Sequence, residues 1–170
     1  MVPGLVIALL ASAHVDDAQS LGVISSFLVE VVGLDEHTTA LGITEAEVRD
    51  PVELALRRNH MFRVGKDKLV PGRTSPGAVS VGVQAYVSGA GLGAVYYHVS
   101  ARQIVRLANG DWMDASTWEM GGILIAPVGS GQVHSMLHQG LAELMDRLCN
   151  DYLSAREKYG AATGVKAKVP

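Results

Sequence analysis

Cysteine, aromatics and basic charge are all scarce in this chain, and each shortage excludes something. Cys149 is the single cysteine among 170 residues, so no internal disulfide can close, and no Cys-x-x-Cys pair exists for zinc or thiol redox work. Lys and Arg number 14 against 17 Asp and Glu, a net charge of -3 with no basic stripe. Nucleic acid and anionic lipid therefore meet no electrostatic footprint, and no nucleic-acid partner is expected. No serine sits in a Gly-x-Ser-x-Gly elbow. No apolar run reaches the roughly 20 residues that cross a bilayer as a helix, so no membrane span is expected after processing.

What is plentiful is aliphatic side chains and glycine: 48% of residues are hydrophobic, only 18% are charged, and 19 are Gly. That mixture belongs to a folded, turn-rich domain, and the length suits one core and not two. Val2 to Ala13 is almost purely apolar and ends in Ala11-Ser12-Ala13, the small-x-small pattern read by signal peptidase, before His14-Val15-Asp16-Asp17 turns polar. Residues 1–20 are accordingly expected to be an export signal and short leader, which makes the protein periplasmic or secreted. The ordinary alternative is a buried N-terminal strand or helix.

Val23 to Val32 is β-branched and apolar on nearly both faces, the pattern of a covered strand. A polar loop through Asp35-Glu36-His37 follows. Thr44 and Glu47 form a capping box, and Asp50-Pro51-Val52-Glu53 is a second helix-start signal. The two together predict a short first turn, a break or kink near Asp50, and a main helix to Arg58. Met61 to Val64 reads as a second short strand, and Gly65 to Gly77 as an exposed loop.

From Val79 to Ile125 the chain alternates apolar and polar residues in three runs, an antiparallel meander. Asn109-Gly110, taken as a two-residue type I′ turn, sets the last register. It places Trp112 opposite Leu107, Arg106 opposite Met113, Arg102 opposite Thr117, Ser100 opposite Glu119, Trp118 opposite Ala101 and Met120 opposite Val99. Both tryptophans then fall on the apolar face. So do Asp114 and Ser116, beside Gln103, which calls for either a local bulge or a polar cluster at the sheet edge. Finally Val133, Leu137, Leu141, Leu144, Leu148 and Tyr152 recur at helical spacing, fading near Lys158. Residues 158–170 are expected to be a disordered tail, leaving residues 21–157 as a single domain.

Candidate chemistry is thin. His134 and His138, four apart on one helix side, could share a metal. Ser135 stands where a zinc protease needs its Glu, and a third ligand would have to come from His98, Glu119 or another residue that folding brings near. Polar helix-flank histidines are the ordinary alternative. Gly89-Ala90-Gly91-Leu92-Gly93-Ala94 formally fits a dinucleotide fingerprint but joins two strands instead of a strand and a helix, so no cofactor is expected. Gly129-Ser130-Gly131 reads as a helix-entry loop. Asp111, Asp114 and Glu119 do not converge by pattern, and Cys149 reads as a small core residue. No catalytic residue is identified. Tyr96, His98, Arg102, Arg106 and Glu119 share the polar side of the meander and form a candidate binding surface, whose alternative is an ordinary solvated face.

Gly42-Ile43-Thr44-Glu45 through Val52-Glu53-Leu54-Ala55-Leu56-Arg57-Arg58, the Thr117-Trp118 strand entering a Gly-rich stretch, and Leu148-Cys149-Asn150-Asp151-Tyr152-Leu153 together resemble a group of small exported proteins of Gram-negative bacteria. The resemblance spans roughly Val23 to Arg156 and brings no catalytic residues. It implies periplasmic export and an α+β fold loosely similar to the N-terminal domain of TolB-like envelope proteins. Pro51 and the Arg156-Glu157-Lys158 ending depart from the pattern.

These readings converge on an α+β domain, β-α-β-β-β-β-α, with two helices on one face of a mostly antiparallel sheet. The expected role is a non-enzymatic binding or assembly module for an envelope protein or cell-wall component. The alternative is a small metal-binding protein or enzyme centred on His134 and His138.

Overall fold

A computed structural model describes residues 21–62 and 77–163. The expected export signal, most of the Gly65 to Gly77 loop and residues 164–170 lie outside them. The described chain runs β1 (Phe27–Val32), α1 (Glu36–Ala40), α2 (Glu45–Arg58), β2 (Gly77–Val87), β3 (Leu92–Arg106), β4 (Trp112–Pro127) and α3 (Gln132–Thr163). The sheet order is β1-β2-β3-β4, with β1 parallel to β2 and the other pairs antiparallel. This is the α+β class expected.

The alternation read in the sequence becomes two faces. Val79, Val81 and Val83 of β2, Val95, Val99 and Ala101 of β3, and Trp118, Leu124 and Ala126 of β4 are all buried beneath the helices. The α3 stripe from Val133 to Tyr152 is buried against them, as its spacing predicts. Tyr97 reaches between sheet and helix because glycines stand on both sides. A Cβ at Gly122 or Gly140 would come 2.6 Å or 2.2 Å from its hydroxyl oxygen.

Several local expectations are corrected. β1 begins at Phe27 and not Val23, because the preceding segment is held on the end of α3: Tyr152 donates to the Ile24 carbonyl at 2.8 Å, and a Cβ at Gly22 would collide with the Ala155 carbonyl. The expected loop at Asp35-Glu36-His37 contains α1, started by Asp35, whose carboxylate accepts from the Thr38 N–H at 2.8 Å. In place of the expected second strand, Phe62 makes a single bridge to Phe27, and Met61 supplies a carbonyl to the Phe27 N–H; Val64 lies outside the described residues. The last helix continues through Thr163, past the Lys158 boundary expected for a tail.

α2 is capped as the sequence predicts, Thr44 Oγ1 accepting from the Glu47 N–H at 3.2 Å. It then passes Pro51 without the expected break. Pro51 can offer no N–H to the Glu47 carbonyl, yet Val48, Val52 and Leu56 are each fully buried on one stripe. Burial of three branched side chains, about 1.5–3 kcal/mol each, outweighs one missing helix bond.

The β3–β4 register departs from expectation in an instructive way. Asn109 lacks positive φ whereas Gly110 has φ 93°, which excludes the type I′ turn. The Leu107 N–H donates to the Asp111 carbonyl at 2.8 Å and the Gly110 N–H to the Leu107 carbonyl at 2.9 Å. Ala108-Asn109-Gly110 is thus a three-residue loop with glycine in the left-handed position. The strand beyond it is offset by one residue: Arg106 faces Trp112, Val105 faces Met113, and Ile104 faces Asp114. A bulge at Ala101/Arg102 then takes up one extra residue, Thr117, and restores the expected partners Ala101–Trp118, Ser100–Glu119 and Val99–Met120. Asp114 and Ser116 therefore lie on the uncovered face, which removes their apparent misfit. Trp112 lies there too, 49% exposed, and not in the core.

Replacing Pro51 restores a backbone donor in mid-helix. Pro51→Ala is expected to raise unfolding stability by about 1–3 kcal/mol, measured as a higher urea midpoint at unchanged slope. An unchanged or lowered midpoint would contradict this account of α2.

Candidate functional site

The uncovered sheet face is where the sequence-derived binding residues meet. Tyr96, His98, Arg102 and Arg106 alternate along β3, and Glu119 is the register partner of Ser100 between them. Tyr96 and His98 stack, ring centres 5.4 Å apart and planes 24° from parallel. Arg106 lies 5.9 Å from the Trp112 ring centre and donates to the Gly110 carbonyl at 3.4 Å.

Arg102 holds the face together. Its guanidinium forms an ion pair with Asp114 on β4, donates to Ser80 Oγ on β2 at 3.3 Å, and stands 3.6 Å from the Glu30 carboxylate on β1. Ser80 Oγ in turn donates to Glu30 at 3.2 Å. One polar row thus crosses all four strands. Glu30 was not picked out by sequence reasoning, and Asp114 was weighed only as one of three carboxylates, not as a partner of Arg102. Glu30 could have been, as the one charge inside an otherwise apolar strand; Asp114 was misplaced by the assumed turn.

A second row crosses beside it: Gly82, His98 and Gly121 are register partners. The imidazole lies flat over Gly82, where a Cβ would come 2.0 Å from its Cε1. Glycine on both flanks leaves room for the His98 ring against the backbone, and the Tyr96 hydroxyl comes within 3.3 Å of where a Cβ at Gly121 would stand. The His98 Nδ1 is buried with no hydrogen-bond partner among the described residues. Tyr86 and Tyr96 on the same face are 66% and 40% exposed. Sequence reasoning missed Tyr86.

The other candidates separate. His134 and His138 do not approach His98 or Glu119. They meet Glu47 of α2 instead, whose Oε1 is 2.6 Å from His134 Nδ1 and 3.3 Å from His138 Nε2. The carboxylate occupies the space between the two imidazoles and clasps α3 to α2. Among the described residues no group of three or more His, Cys, Asp or Glu is placed to hold a metal ion. Asp111 accepts from the Asn109 side chain at 2.7 Å within the turn, while Asp114 is engaged by Arg102, so these carboxylates have separate partners. The Gly89–Ala94 stretch forms the β2–β3 connection and enters β3. Gly129-Ser130-Gly131 leads into α3, with Ser130 Oγ accepting from the Gln132 N–H.

Electrostatics adds no activated nucleophile. Burial, and secondarily Asp146, pushes the Cys149 thiol up to about 11. Burial also raises Tyr97, with the charge of Glu143 adding to it. Asp35 is held below the usual carboxylate range, first by the Thr38 hydroxyl and then by the Thr38 N–H. Each shift keeps its group in its resting protonation state at neutral pH. No protein-family model matches the chain, and no curated protein matches it.

Because the thiolate is the reactive form, native Cys149 is expected to resist alkylation. At pH 8, iodoacetamide should label it at least about tenfold more slowly in the folded protein than in 8 M urea, read by intact-mass spectrometry. Equal labelling rates would show an accessible, ordinary thiol and refute the assignment to the core.

Proposed function

We propose that this protein is an exported, non-enzymatic binding or assembly module of the bacterial envelope, and that its uncovered sheet face takes up an envelope protein or a cell-wall component. The observation that carries this reading is the composition of that face. Tyr, Trp and Arg dominate the energetics of protein interfaces, and Tyr86, Tyr96, Trp112, Arg102 and Arg106 all stand on one side of the sheet, opposite the helices. The face is also preorganised. Arg102 is fixed by groups from three other strands, so little side-chain freedom remains to be lost on binding.

Export rests on the Val2 to Ala13 run and its Ala-Ser-Ala ending. The likeness to small exported proteins of Gram-negative bacteria points the same way. A non-enzymatic role is supported by the fate of the residues with candidate chemistry: His134 and His138 are engaged by Glu47, Asp114 by Arg102, and the one thiol is buried.

The test is fractionation followed by capture. In cells, a form lacking the first thirteen residues is expected in the periplasm. The purified processed protein should then sediment with isolated peptidoglycan sacculi or, carrying a photo-crosslinker at position 86, trap one envelope protein. Tyr96→Ala combined with Arg106→Glu should lower capture roughly tenfold while leaving the melting temperature unchanged. An unprocessed form confined to the cytoplasm would contradict the localisation, and capture indifferent to both substitutions would contradict the binding face.

A further inference from the structure

The two edges of the sheet are treated differently by the fold. On β1, a strand of six residues, the outer edge is occupied: the Phe27 N–H donates to the Met61 carbonyl at 2.7 Å, Phe62 bridges Phe27, and Arg49 donates to the Val29 carbonyl at 2.8 Å. β4 has 16 residues, and its outer edge has no backbone partner among the described residues. A long unpaired edge is a template for another strand.

A cavity opens at that same edge. It measures about 80 Å³ and lies between β4 and α3, lined by Tyr97, Ile123, Leu124, Met136, Gln139, Gly140 and Glu143. The Tyr97 hydroxyl faces Gly122 and Gly140 there, and it makes no hydrogen bond to any described residue. Glu143 is the one charged group in the lining. It accepts from Gln139 at 3.0 Å and has no cationic partner among the described residues.

We propose that the outer edge of β4 and the first half of α3 form a strand-addition groove for an extended, basic peptide segment of a partner protein, with one small apolar side chain of that segment seated in the cavity beside Tyr97. Strand addition supplies main-chain hydrogen bonds, and side chains alternate between the two sheet faces, so every second residue of the segment points toward α3. One of these fills the cavity and a lysine or arginine reaches Glu143. Charge decides against a second copy paired through β4. That strand carries Asp114 and Glu119 but no Lys or Arg, so self-pairing would leave Glu143 without its cation. The groove lies on a different part of the molecule from the Tyr96–Arg106 face and stands or falls separately from it.

The test uses the full chain and three labelled heptapeptides: one with lysine, valine and lysine at positions 2, 4 and 6, which share one strand face, and threonine elsewhere; the same peptide with glutamate in place of lysine; and the lysine peptide with alternate backbone amides N-methylated. Fluorescence polarisation is expected to show binding of the lysine peptide, at least roughly tenfold weaker binding of the glutamate peptide, and loss with N-methylation. Glu143→Lys, an exposed position on α3, should reverse the charge preference. Hydrogen exchange should show new protection in β4. The proposal is overturned by no binding of the lysine peptide, by equal binding of the N-methylated form, by protection confined to the uncovered face, or by a β4-paired dimer that excludes the peptide.

Discussion

Two one-residue offsets on β4 govern what this molecule shows to its surroundings. The three-residue turn at Ala108-Asn109-Gly110 moves the strand by one position, and the bulge at Thr117 moves it back. Because side chains in a strand alternate faces, a single uncompensated step would send every one of them to the wrong side. With both steps present, Trp118 reaches the core, where its indole N–H donates to Asp151 of α3 at 2.8 Å. Asp114 and Trp112 between the two offsets reach the uncovered face, beside Arg102 and Arg106. Core and candidate binding surface are set by the same pair of local irregularities.

The sequence disclosed the parts of the fold that rest on repetition. Period-two alternation in β2 to β4, helical spacing from Val133 to Tyr152 and the Thr44 cap all reappear in the structure. What escaped were features in which one residue decides between near-equal alternatives. Asn-Gly serves a two-residue type I′ turn or a three-residue loop, and only the φ of Asn109 separates them. Pro51 signals a helix start in isolation, yet three buried side chains carry α2 through it. The five-residue α1 is too short to show any period and announces itself only through Asp35.

The candidate site was legible to a similar degree. Tyr96, His98, Arg102 and Arg106 share a face because alternation along one strand requires it. Their partners come from other strands and follow from topology: Glu30 meets Arg102 only because β1 lies beside β2. Long-range pairing likewise determines the fate of His134 and His138. Helical spacing put them together, but only the packing of α3 against α2 brings Glu47 to them. Chemistry that depends on a strand edge, such as the β4 groove, has no signature in local pattern at all.

The uncovered face is thus a product of register, and register can be measured without knowing any ligand. Cross-strand backbone NOEs in the isotope-labelled protein read it directly. The account predicts Ile104 opposite Asp114 and Arg106 opposite Trp112, together with Ala101 opposite Trp118, so that the two halves of the ladder differ by one residue. An uninterrupted ladder from Val105–Asp114 to Val99–Met120 would return Asp114 to the core side, remove its link to Arg102, and contradict the face described here.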